Sequence, residues 1–186
     1  MRAEASRAHN KRTASYLLGM PLLRPLFAAT FPALDRPLYA QDPFGVLLLW
    51  HLAIVAGSSA VSLLVGVVAG VFVTRPGGRE FRPMVEALAA IAQTIPPVAV
   101  LAIAVPLIGF GALPALIALA LYGLLPIVRA TIAGIESVQS SVTEAADGLG
   151  LGRMQRLARV ELPLALPVLM GGVHSSVIIN IGTATV

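Results

Sequence analysis

Cysteine, histidine, lysine and clustered carboxylates are the groups from which most catalytic and metal sites are built, and this sequence of 186 residues brings few of them together. Cysteine is absent, which removes disulfides, thiolate nucleophiles and thiolate metal sites. The single lysine is Lys11, so no GxxxxGK[ST] phosphate loop can be written anywhere in the chain. His9, His51 and His174 are too dispersed for a metal cluster, and neither HExxH nor GxSxG occurs. No catalytic residue, cofactor site or metal site is expected, and the chain does not read as an enzyme. One polar pattern has fixed spacing: Glu144-Ala-Ala-Asp-Gly-Leu-Gly150, followed by Val160-Glu-Leu-Pro163. Ser141-Val-Thr-Glu144 has the S-x-x-E spacing of a capping box, which predicts a short helix beginning near Ser141. Ala145 and Ala146 would give that helix a low-relief face for a partner, and Gly148, Gly150 and Gly152 would let the backbone turn sharply after it.

The elements that must position this segment are set by composition. The chain is 57% hydrophobic and 12% charged, with mean hydropathy +0.87, more apolar than a soluble domain can cover with polar side chains. An all-α, polytopic membrane protein in contact with the lipid bilayer is expected. Residues 1–42 form an amino-terminal tail and a damaged first membrane segment. Arg2, Arg7, Lys11 and Arg12 make the start basic, and 14–34 is apolar but interrupted by Pro21, Arg24, Pro25 and Pro32. An arginine at mid-span costs about 2.5 kcal/mol or more, so 14–34 is a damaged span, an interfacial segment or a weak signal peptide. Residues 43–186 read as a transmembrane domain with spans at about 47–73, 84–108, 112–128 and 162–186, and a polar segment at 136–161. Arg75 to Pro83 supplies a basic loop, Gly109 to Pro114 a turn, and Arg129 closes the third of these spans.

The formal charge of +4 and pI near 10.3 do not point to nucleic acid. Twelve of the thirteen basic residues are arginines in short groups between long apolar stretches, the pattern of membrane orientation. Basic excess at 75–82 and 129–159 places both on the cytoplasmic side, with 109–114 and 35–45 outside. A basic tail kept inside would then require 14–34 to cross despite Arg24.

The pattern at 144–163 resembles the EAA signature of ABC importer permeases: Glu-Ala-Ala, three free positions, Gly, nine free positions, an aliphatic residue, one free position, Leu-Pro. Glu144, Ala145, Ala146, Gly150, Val160, Leu162 and Pro163 meet it, with Val in the usual Ile position. Further stretches, Gln93 to Val98, Leu121 to Arg129 and Ile178 to Thr185, resemble the osmoprotectant branch, specifically the Yeh-type betaine permeases, and the similarity runs through nearly all of 36–186. The resemblance implies the MetI-like helical bundle of a bacterial cytoplasmic (inner) membrane importer, incomplete at the C-terminus, since relatives continue beyond Val186. It also implies the partners: a cytoplasmic ABC ATPase that receives the 144–163 segment, a periplasmic or lipid-anchored solute-binding protein, and a second permease subunit, identical or homologous. The implied cargo is an osmoprotectant such as glycine betaine; an amino acid or another quaternary amine is the alternative. A secondary transporter would usually carry an ionisable residue deep in a span, and none is seen here. A scaffold or insertase would leave the signature spacing as coincidence.

Candidates for the translocation path are polar or helix-breaking residues inside the apolar stretches. Pro96 and Pro97, with Pro106, interrupt the second span and free backbone carbonyls, which suits either a kinked helix at the path or a packing kink. Gln93 and Thr94 could line the path or bond across helices. Asn180, Thr183 and Thr185 should face protein or water rather than lipid. Tyr122 could offer its ring to a quaternary ammonium group, although simple packing between helices is the plainer account. Trp50 and His51 suit an interfacial belt. Gly66-Val-Val-Ala-Gly70 is a GxxxG spacing for close helix packing, a dimer contact being one such place.

Overall fold

The computed structural model describes residues 44–185 together with Ala29, so the expectations for 1–42 lie outside the described residues. The chain divides into two compact units at Ala53, and the helix contacts that position the site belong to the unit from Ile54 onward. The helices are α1 (Phe44–Thr74), α2 (Arg82–Thr94), α3 (Pro97–Ile108), α4 (Ala112–Glu136), α5 (Ser140–Gly148), α6 (Arg153–Arg156) and α7 (Leu162–Thr183). A 3-10 turn at Arg79–Phe81 precedes α2, and a π turn at Leu157–Glu161 joins α6 to α7. No strand occurs among the described residues. Among the described residues, three continuous helical stretches, Gly45–Thr74, Ala112–Glu136 and Arg153–Thr183, are long and apolar enough to cross a membrane, and α2 with α3 makes a fourth if that bent pair is counted as one span.

Small side chains decide how these helices meet. On α1 the buried positions Val55, Ser58, Ser62, Gly66, Gly70 and Val73 recur every three or four residues, and so share one face. The four central ones are serines and glycines, which let another backbone come close. That backbone is α4: a Cβ added at Gly66 would stand 2.7 Å from Ile127 Cγ2, and one at Gly70 would stand 2.6 Å from Thr131 Cβ. The GxxxG spacing therefore packs helices within one chain. Ser62 faces Ala120, Gly66 faces Ile127 and Gly70 faces Thr131, so α1 and α4 run parallel.

On the other side of α4 the order reverses. Ser176 lies at Gly123, Gly172 at the Pro126 carbonyl (2.7 Å from a Cβ added at Gly172) and Ala165 at Gly134, so α7 runs antiparallel to α4. A polar seam ties the three long helices. The Ser62 hydroxyl donates to the Ala120 carbonyl at 2.7 Å, and the Asn180 amide donates to Ser58 and Ser59 hydroxyls at 3.3 and 3.1 Å. In an apolar surround such bonds satisfy groups that would otherwise be costly to bury. Below the seam, Val73, Val128 and Ile132 form one apolar cluster, and Ile135, Leu157 and Ala165 form another.

Two sequence expectations change. The stretch 84–108 is two helices meeting at 92° rather than one kinked span. Pro97 forces Pro96 and its neighbour out of helical geometry, and Ile95 is extended at φ −80°, ψ 121°. Pro106, by contrast, is accommodated inside α3. Secondly, the helix does not stop at Arg129: α4 continues through it for two further turns to Glu136, because nothing between 129 and 136 breaks a helix and the exposed Arg129 needs no buried partner.

The close contact at Gly66 generates a prediction. Gly66→Leu should overpack the α1–α4 seam and destabilise the bundle by about 1–3 kcal/mol. Gly171, on α7 with open space around it, is the control: Gly171→Ala should be neutral or stabilising, since glycine is about 1 kcal/mol worse than alanine in a helix. Thermal unfolding midpoints of the two variants in detergent check both.

Candidate functional site: the segment from α5 to the foot of α7

After α4 the chain turns at Ser137, whose N–H donates to the Ala133 carbonyl and whose hydroxyl donates to the Gly134 carbonyl. Gln139 is extended and is the N-cap of α5, which begins at Ser140. The expected capping box is not formed: Ser141 and Glu144 already lie inside the helix, and no side chain caps the start. The Thr143 hydroxyl instead donates back to the Ser140 carbonyl at 2.8 Å. The helix does start near Ser141, at Ser140, but its N-cap lies two residues before Ser141 because the turn from α4 leaves Gln139, not Ser141, in extended backbone.

The other end of α5 is specified closely. Gly150 takes φ +80°, a left-handed conformation that costs other residues about 1–2 kcal/mol. The Leu151 N–H reaches the Ala146 carbonyl at 3.2 Å and the Gly150 N–H reaches Asp147 at 2.9 Å. These are the two bonds of a Schellman termination with glycine at its required position. Ala146 therefore supplies an acceptor for the stop, and the distance from Ala146 to Gly150 is the length of that motif. Of the three glycines expected to turn the chain, Gly150 alone is left-handed; Gly148 closes the helix and Gly152 is extended.

Burial divides the helix into two faces. Ala146 is 4% exposed and packs inward, whereas Glu144, Ala145 and Gly150 face out. Beyond Gly152, whose N–H donates to the Gln155 side chain at 3.1 Å, α6 leads into the π turn. Pro163 gives the physical reason for that widening: its ring crowds the carbonyl four residues earlier and it has no N–H for it, so the Leu162 N–H instead reaches Leu157, five residues back. Val160 and Leu162 are half-buried, Leu162 packing beside Leu157 and Ala165, and Pro163 is exposed in the first turn of α7.

Charge holds this segment against the bundle. Glu161 is 3% exposed, yet it is paired on both oxygens: Arg75 Nη2 donates to Oε2 and Arg156 Nε donates to Oε1 at 2.8 Å. Arg156 also donates through Nη1 to Asp147 on α5. On the neighbouring side Arg82 bonds Glu86 and Glu136. The basic turn after α1 and the segment 136–161 thus lie at one end of the bundle. Sequence reasoning treats Arg75, Arg82 and Arg156 only as orientation charges and misses Glu161 and Asp147. The signal available was a carboxylate set between two fixed positions of the signature, at the edge of an apolar stretch.

The path candidates are dispersed. Gln93, half-buried, donates to the Tyr122 carbonyl at 2.7 Å, and the Tyr122 hydroxyl donates to the Ile95 carbonyl. The first bond occupies a carbonyl that Pro126, lacking an N–H, leaves free; the second occupies one freed by the break at Pro96. Gln93, Pro96, Pro97 and Tyr122 therefore meet at the α2–α3 elbow, while the Thr94 hydroxyl bonds within its own helix to Ile91. Asn180 is wholly buried in the α1–α7 seam, Thr183 is half-buried and Thr185 is exposed. Asn180 and the elbow residues do not share a site.

The osmoprotectant import permease protein OsmY of Salmonella typhimurium is 46% identical over 134 residues, covering 72% of this chain and 57% of the relative. The glycine betaine/carnitine/choline transport system permease protein OpuCB of Bacillus subtilis is 39% identical over 128 residues, 66% of this chain and 59% of its own. The choline transport system permease protein OpuBB of the same organism is 38% identical over 135 residues, 73% and 61%. The chain spans somewhat more than half the length of these relatives. Residues 62–186, which include α4, α5 and α7 with the charged cluster between them, match the family of binding-protein-dependent transport system inner membrane components, and the chain belongs to that family.

Proposed function

We propose that this chain is the membrane-spanning permease subunit of an ATP-driven importer for an osmoprotectant such as glycine betaine, and that α5 is the element through which a separate cytoplasmic ATPase drives it. The observation that carries the reading is the closed, outward-facing form of α5: a nine-residue helix with a Schellman stop at Gly150 and with Glu144 and Ala145 free on its outer surface. Leu149 is 82% exposed and Met154 is 74% exposed beside it, apolar area on an otherwise polar segment that a docking groove would cover. The paired arginines at the same end of the bundle support a cytoplasmic location for that end.

In this mechanism the chain does no chemistry. A periplasmic or lipid-anchored binding protein delivers solute to the outer face, and a second permease, identical or homologous, completes the route. ATP hydrolysis in the partner moves α5, and the long helices alternate between two openings. Cargo class is supported by the relatives, whose names carry glycine betaine, carnitine and choline, small quaternary amines.

Full-length permease reconstituted with its ATPase and binding protein should accumulate labelled glycine betaine only when ATP is supplied; uptake that proceeds without ATP would overturn the mechanism. Gly150→Ala should strain the stop of α5 by about 1–2 kcal/mol, and ATP-dependent uptake should fall by roughly tenfold. Glu144→Lys should leave the bundle folded, since Glu144 is exposed, but should reduce copurification of the ATPase. Undiminished copurification with both variants would remove α5 from the docking role.

A further inference from the structure

We propose that Asp147, Arg156 and Glu161 form the linkage that carries displacement of α5 into α7, with Arg75 as its anchor on α1, so that Glu161 is a positioning residue for coupling. The inference rests on the coupling role proposed for α5 and assigns it to residues outside the signature positions.

Little else holds α5. Of its nine residues only Ala146 is buried, and neither Glu144 nor Ala145 touches the bundle closely enough to be covered. The firm lateral connection is Asp147, whose carboxylate accepts from Arg156 Nη1 at 2.5 Å. Arg156 does not end there. The same guanidinium donates through Nε to Glu161 Oε1 at 2.8 Å, so one rigid planar group spans α5 and the foot of α7.

Glu161 then fixes the direction of transmission. It sits in the last position of the π turn, one residue before α7, with its side chain 4% exposed. Arg75, just beyond the last residue of α1, holds its other oxygen. A carboxylate so buried is held by its two cations, and loss of both would leave an uncompensated buried charge. Pulling α5 away from the bundle therefore loads the exposed Asp147–Arg156 pair first and, through the shared guanidinium of Arg156, the buried carboxylate of Glu161. Because Glu161 opens α7, whose Ala165, Gly172 and Ser176 lie directly on α4, that load reaches the central contact of the bundle. Leu157, buried beside Ile135 and Ala165, gives the turn an apolar pivot on the opposite side.

The test is the ratio of solute taken up to ATP hydrolysed, measured on the full-length permease reconstituted with its ATPase and binding protein. Glu161→Gln should leave ATPase copurification and hydrolysis in place while uptake per ATP falls by about five- to fiftyfold, the range of an ordinary coupling energy. Glu161→Asp should recover part of the loss. Asp147→Asn, on an exposed side chain and so free of any folding burden, should lower the same ratio by a smaller factor, because the asparagine carbonyl can still accept from Arg156 without the charge. If Glu161→Gln fails to fold, Asp147→Asn decides alone. A wild-type ratio in folded Glu161→Gln, or in Asp147→Asn when it decides alone, would overturn the proposal while leaving α5 as the docking element. ATP-independent uptake in the unaltered protein would instead overturn the importer reading on which the proposal rests.

Discussion

The structure depends on the near contact of three backbones, α1, α4 and α7, made possible by side chains no larger than serine. Between apolar helices in a lipid-like surround there is little hydrophobic gain from association, so dispersion contacts and interhelical hydrogen bonds must supply the attraction. Both grow steeply as the axes approach. Gly66 and Gly70 bring α1 onto Ile127 and Thr131, and Gly172 and Gly134 bring α7 and α4 together. The hydroxyls of Ser58 and Ser62 and the amide N–H of Asn180 then find partners across the gap. With those distances set, the end of α1, the end of α4 and the beginning of α7 are held together, and only then can Arg75 reach Glu161.

A second constraint is the accounting of backbone carbonyls. Proline removes a donor, and within an apolar bundle each carbonyl left over needs another. At the α2–α3 elbow the solution is reciprocal: Gln93 from α2 satisfies a carbonyl of α4, and Tyr122 from α4 satisfies the carbonyl of Ile95, just past α2. The polar groups that sequence reasoning offers as path lining serve here to stabilise a sharp bend. Their rings and methylenes remain available at the same place, since Gln93 and Tyr122 are only half-buried.

Much of this was legible in the residues, and the reasons differ from one element to the next. Long uncharged stretches specify helices regardless of neighbours, so α1 and α7 fall where the apolar pattern puts them. The resemblance to the transport family was legible in the spacing from Glu144 to Pro163, and that spacing is written in local geometry: Ala146 to Gly150 is one helix stop, and Pro163 produces the π turn before it. What was not legible depends on tertiary partners. The Pro96-Pro97 pair marks a break in the local sequence, but the 92° angle of the bend is not written there, and the bonds from Gln93 and Tyr122 that satisfy carbonyls beside it cross a helix boundary. Charge counting likewise treats arginines as a sum, and cannot distinguish Arg156, which bridges two carboxylates, from the exposed Arg153 and Arg159. The serine stripe on α1 was missed because only its glycine half fits a named motif.

The stop at Gly150 has a mechanical corollary. Many helices can lengthen by winding on another turn, and so take up slack at their ends. Here the final carbonyls are already claimed by Gly150 and Leu151, and the next residue able to continue would have to leave the left-handed region first. A nine-residue rod of fixed length cannot behave as a spring along its axis. Whatever force it receives moves the rod as a whole, by tilt or translation, rather than being absorbed in its length.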